Sequence, residues 1–141
     1  MSSTTPLPFF FISQDLVDQR TSAFVSQKNN LLSQAIGKPD TQSIWYSRYH
    51  IAGLLDEIDH ASGDGLRIFL GMYEPGHRYE GQLCLVMNAT RPGAEGSGIA
   101  HQDVILENEP DFLGRSTMEK GAEELWEKGY NLGSPCPPIC D

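Results

Sequence analysis

The sequence predicts an α+β domain: a small, mainly antiparallel sheet, with a hairpin at about residues 66–88, covered by two or three helices. Three observations predict it. Ile51, Leu54, Leu55 and Ile58 recur at the i, i+3, i+4, i+7 spacing of an amphipathic helix. Two apolar runs follow, 66–73 and 83–88, each with apolar side chains on both faces, which predicts strands interior to the sheet. The joining residues 74–81 are too few for a helical crossover, so the two strands are expected to pair antiparallel.

The elements follow in chain order. Residues 6–12, Pro-Leu-Pro-Phe-Phe-Phe-Ile, are apolar but lack the preceding basic residues and following cleavage site of a signal peptide, and are far short of the roughly 20 residues a membrane helix needs. They read as a strand or extended anchor packed on the core. Ser13 is a helix N-cap, and Leu16, Val17, Phe24, Leu31, Leu32 and Ala35 recur at helical intervals up to Gly37. Gln19, Gln27, Asn29, Asn30 and Gln34 give this helix an amide-rich exposed side. Residues 43–46 form a short extended entry, and Ser47 caps the second helix, which glycines 63 and 65 end. After the hairpin come a Gly-rich loop at 91–98 and a short strand at 104–106. A third, acidic helix is capped by Ser116 or Thr117 and runs to about Lys128. The chain reads as one domain over 1–141: an N-terminal strand or anchor and helix at 1–42, an α+β core at 43–128 and a proline/cysteine tail at 129–141.

Charge narrows the partners. Ten Lys and Arg face nineteen Asp and Glu, a formal net charge of -9. Nucleic-acid affinity comes largely from neutralising phosphates, and no basic cluster is present, so nucleic acid and anionic membrane surfaces are poor partners. With no long apolar run, the expected location is cytoplasmic. No phosphate-binding Gly-x-x-x-x-Gly-Lys-Ser/Thr pattern or Gly-x-Ser-x-Gly nucleophile turn occurs.

Ser-Ile-Trp-Tyr-Ser at 43–47, Gly-Leu-Arg-Ile-Phe-Leu-Gly-Met-Tyr at 65–73, Cys-Leu-Val-Met-Asn-Ala-Thr at 84–90 and the terminal Cys-Pro-Pro-Ile-Cys together resemble a group of small uncharacterised bacterial proteins. The resemblance covers about residues 43–141 and is most specific in the tail. It implies no activity, because none is assigned to that group.

Candidate chemistry is sparse. Cys136 and Cys140 are the sharpest motif: two thiolates at this spacing can hold zinc if two more ligands come from His50, His60, His77 and His101, though no second Cys or His pair has ligand spacing, or they can form a disulfide. The prolines between them oppose both, because four polyproline steps separate the Cα atoms by about 12 Å, beyond the ~7 Å limit for a disulfide. A turn or a cis-proline removes that obstacle, and a rigid tail with free thiols is the plain alternative. Cys84, in an apolar strand, reads as a small hydrophobe. His77, Arg78, Tyr79 and Glu80 crowd the hairpin loop, and the binding candidates are Trp45, Tyr73, His77, Arg78 and Tyr79. His101 and Asp103 make a second polar group, but the hairpin sets it at the opposite end of the sheet from His77. Asp56, Glu57 and Asp59 read as a solvated helix face, with Asp56 and His60 an ordinary i, i+4 surface pair.

No complete catalytic constellation emerges, so no catalytic residue is assigned. The expected function is a non-catalytic binding or assembly protein working through a protein partner or self-association, without a cofactor. The alternative is a small metal- or thiol-dependent enzyme using Cys136 and Cys140, with zinc as the metal.

Overall fold

The computed structural model describes residues 4–118 and 134–137. It has an α+β fold with two small antiparallel sheets. The first, of three strands, has the order β2 (Gly65–Met72), β3 (Leu83–Pro92), β4 (His101–Asp103). The second pairs β1 (Ser43–Trp45) with β5 (Ser134–Cys136). Helices α1 (Gln14–Phe24), α2 (Asn30–Ile36), α3 (Arg48–His60) and α4 (Phe112–Met118) complete the described elements, with a 3-10 turn at Leu106–Asn108. Among the described residues, no helix is long and apolar enough to cross a membrane.

The two helix starts read from the sequence form for the expected reason. Ser13 Oγ accepts the Leu16 amide and Ser47 Oγ accepts the His50 amide, each satisfying a donor the first helical turn leaves unpaired. One π-turn, Val25–Asn29, joins α1 to α2, so the N-terminal helical run is continuous from 14 to 36. It ends at Gly37, whose φ of 74° suits a residue without Cβ.

The β2–β3 hairpin runs in perfect register from Gly65↔Thr90 to Met72↔Leu83. Its loop closes by Tyr73 N–H donating to Gln82 O and Gly81 N–H donating to Tyr73 O, both at 3.0 Å. The Gly-rich stretch forms a second hairpin, with Gly93 N–H donating to Ala100 O. Strand β4 therefore begins at His101, three residues before the expected 104–106, because the ladder is set by Thr90↔Asp103 and Pro92↔His101 rather than by the apolar run. Helix α4 also begins earlier, at Phe112 instead of after Ser116 or Thr117; the rest of the expected acidic helix lies outside the described residues. The tail supplies a strand where none was expected, since Pro135 can occupy a two-stranded edge pairing that needs no N–H from it.

Two further expectations are corrected. Residues 6–12 form no strand and do not pack as an anchor: Phe9 is 100% exposed, touching Phe10 edge-on at 5.3 Å between ring centroids. Among the described strands, β3 is interior but β2 is an edge.

The buried centre is more polar than apolar. Among the described residues, Tyr79, Val104 and Pro135 are buried, together with Asn29, Asp40, Thr41, Gln82 and Thr90. Most of the polar set knits one junction. Asn29 Nδ2 donates to the carbonyls of Asp40 (3.2 Å) and Thr41 (3.0 Å), Thr41 Oγ1 donates to Leu83 O at 2.7 Å, and Gln82 Nε2 donates to Pro137 O at 2.8 Å. Helix, loop, hairpin and tail meet there through hydrogen bonds.

Candidate functional site

Strand β2 shows the most unusual surface. Alternation puts Leu66, Ile68, Leu70 and Met72 on one face of the sheet, against Ala89, Met87, Leu85 and Leu83 of β3. Ile68 is 52% exposed, Leu70 75% and Met72 66%. On the other face Phe69 and Val86, paired directly across the ladder, are both exposed. Helix α3 meets β3 and leaves these side chains open, and its own Ile51 and Leu55 are also exposed. The sheet is thus only partly covered by helices. Apolar side chains clustered this way mark a contact surface, whereas scattered ones would not.

The hairpin loop gathers four of the five binding candidates. Tyr73 and His77 stack at 4.4 Å with 15° between planes, Tyr79 meets Tyr73 edge-on at 5.4 Å, and the Arg78 guanidinium sits 4.7 Å from the Tyr79 ring centre. His77 Nδ1 accepts the Tyr79 amide at 3.0 Å, so the ring is held by its own loop. Trp45 makes no ring contact with them; it is exposed on β1. Burial raises the Tyr73 phenol pKa, with smaller contributions from Cys84 and Tyr46, and burial raises that of Tyr46 too. This cluster is a packed plug at one end of the hairpin, with Tyr79 as its buried member.

The opposite end holds a polar group that the sequence reading assembled differently. His101 Nδ1 lies 2.6 Å from Asp64 Oδ2, while Thr90 Oγ1 donates to Asp64 Oδ1 at 2.7 Å. Asp103, expected beside His101, instead faces Arg67, whose Nε lies 2.8 Å from its Oδ1. A shallow basin of about 420 Å³ is lined by Asp64, Gly65, Leu66, Arg67, Thr90 and His101. His60, expected to pair with Asp56, pairs with Asp111 at 2.6 Å, and Glu57 pairs with Arg115. The hydrogen bonds from Thr90 and then His101 hold the Asp64 carboxyl below the usual carboxylate range, and His60 does the same for Asp111. An Asp–His pair orients an imidazole as a general base does, but the one hydroxyl among the residues lining the basin, that of Thr90, is hydrogen-bonded to Asp64 and not to His101. His77 and His101 occupy opposite ends of the hairpin.

The cysteines divide. Cys84 is a free thiol on β3; burial pushes its pKa up, with Glu74 adding to the shift, so it is a poor nucleophile at neutral pH. Cys136 is disulfide-bonded and lies on β5, after which the Cys136–Pro137 peptide is cis. Cys140 lies outside the described residues. Among the described residues, no three His, Cys, Asp or Glu side chains converge in a metal-holding group.

Comparison with known protein families, curated proteins and solved structures finds no match to the chain. Two features escaped sequence reasoning. The Asp64–Thr90–His101 group joins residues 37 positions apart, and the signal available, an acid between two helix-ending glycines, reads equally as a turn. The open edge of β2 depends on sheet order, which an apolar run does not encode.

Proposed function

We propose that this protein is a non-catalytic assembly or binding protein that works through protein–protein contacts on the apolar β2 surface. One observation carries the reading: Ile68, Leu70 and Met72 share one face of β2 and are exposed, with Phe69 exposed on the other face, while most of the buried side chains among the described residues are polar. Covering one such side chain is worth about 1.5–3 kcal/mol, so a partner over this patch gains several. The -9 charge supports solubility and disfavours nucleic acid as that partner. The thiol-enzyme alternative gains no support from Cys84, whose thiol stays protonated, or from Cys136, whose sulfur is already bonded.

The test is a photo-crosslinking amino acid at position 70 in cells making the protein. A covalent adduct with protein supports the reading. Recovery of the chain alone, unmodified, sinks it.

A further inference from the structure

We propose that β2 is the pairing edge of a homodimer: two copies add their β2 strands antiparallel about a two-fold axis, fusing two three-stranded sheets into one of six strands. The inference rests on the assembly reading above and names the partner as a second copy of this chain.

Backbone geometry carries the first step. Tyr73 N–H donates to Gln82 O, the ladder position next beyond Met72↔Leu83. Antiparallel strands alternate bonded and non-bonded pairs, so Gly71, Phe69 and Arg67 also turn their amides and carbonyls towards β3. Val104 N–H donates to Ala89 O at 2.8 Å, which turns Ala89 towards β4 and its cross-strand neighbour Leu66 away from β3. The N–H and C=O groups of Leu66, Ile68, Leu70 and Met72 therefore point out of the sheet, with no strand beside them among the described residues. An eight-residue, largely apolar edge of this kind is a template for another strand.

Charge and side-chain pattern favour a second copy. Residues 65–73 hold no acid and no proline, and their one charge, Arg67, is neutralised by Asp103. Two chains of net charge -9 can thus approach along an uncharged strip. A two-fold through Phe69 sets Ile68 opposite the partner's Leu70, Leu66 opposite the partner's Met72 and Arg67 opposite the partner's Gly71. Each apolar side chain then meets an apolar one, no arginine faces arginine, and all the outward amides and carbonyls find mates. A hydrophobic strip flanked by charges would suit many partners, whereas this one is complementary to itself.

The experiment is sedimentation equilibrium of the full chain from low to high micromolar concentration, with backbone amide exchange at both extremes. The expected result is a reversible monomer–dimer equilibrium with a limiting mass twice 15.6 kDa. In the dimer the amides of Leu66, Ile68, Leu70 and Met72 exchange slowly and become fast on dilution, while those of Arg67, Phe69 and Gly71 stay slow throughout. Leu70→Pro removes an outward N–H that the β3 ladder does not use and should weaken association at least about tenfold; Leu70→Thr, which keeps the N–H, should weaken it less. A monomer at every concentration, or a dimer whose outward amides exchange as fast as the monomer's, overturns the proposal, and the exchange data decide the matter even if the proline variant does not fold. A monomer that still crosslinks at position 70 to a different protein refutes self-pairing and leaves the assembly reading standing.

Discussion

Asp40 holds separate segments of chain together through one carboxyl oxygen. Its Oδ1 accepts the amides of Thr41 at 2.7 Å and Leu83 at 2.8 Å, and its own amide donates to Ser33 Oγ at 2.8 Å. Asp40→Ala leaves one buried and one half-buried amide without acceptors and is expected to cost about 2–3 kcal/mol, whereas Asp40→Asn, which keeps an oxygen in place, should cost about 1 kcal/mol; urea midpoints at unchanged slope measure both. Asp64 and Asp111 give a pH prediction. Their folded pKa values lie below the ordinary one, chiefly through Thr90 for Asp64 and His60 for Asp111. A depressed carboxyl contributes stability that is fully present above the unfolded value of about 3.9 and is lost as pH falls through the folded one. Acid unfolding should accordingly steepen below about pH 4, and Thr90→Val should move the Asp64 titration, followed by carboxyl NMR, back up towards the ordinary value. An unmoved titration would mean that the Thr90 hydrogen bond is not the main cause. At this scale the residue types were legible but their partners were not: Asp56 and Asp103 are the near neighbours of His60 and His101 in sequence, yet Asp111 and Asp64 take them in space.

At the scale of elements, local rules were legible and long-range ones were not. The serine caps at 13 and 47, the glycine stop at 37 and the hairpin over 66–88 stand where the sequence placed them, because each depends on residues within a turn or a ladder of one another. Strand β5 and the early starts of β4 and α4 depend on pairing and packing between distant segments, which composition does not encode. The α3–β2 junction yields a sharp prediction. A Cβ on Gly63 would lie 2.5 Å from Thr90 O and 2.9 Å from Ile58 O, both backbone atoms that cannot step aside alone. Gly63→Ala should destabilise the fold by about 1–3 kcal/mol, comparable to overpacking a core, and more than the roughly 1 kcal/mol expected for removing the α3 cap in Ser47→Ala. Thermal melts of the two variants side by side test that ranking; equal melting would contradict it.

Across the described residues, the distribution of polarity is inverted relative to an ordinary small domain. Asn29, Asp40, Thr41, Gln82 and Thr90 are inside, while Ile68, Leu70 and Met72 on β2 and Ile51 and Leu55 on α3 are outside. A content of 39% hydrophobic residues does not encode this, because composition counts apolar side chains without saying which of them find cover. We propose that the cover comes from protein contact at β2. The most direct measurement compares photo-crosslinking from position 70 with crosslinking from position 95, an exposed loop residue between β3 and β4, in the same cells. A discrete protein adduct is expected from position 70 and none from position 95. Equal yields from both, or none from position 70, would contradict it.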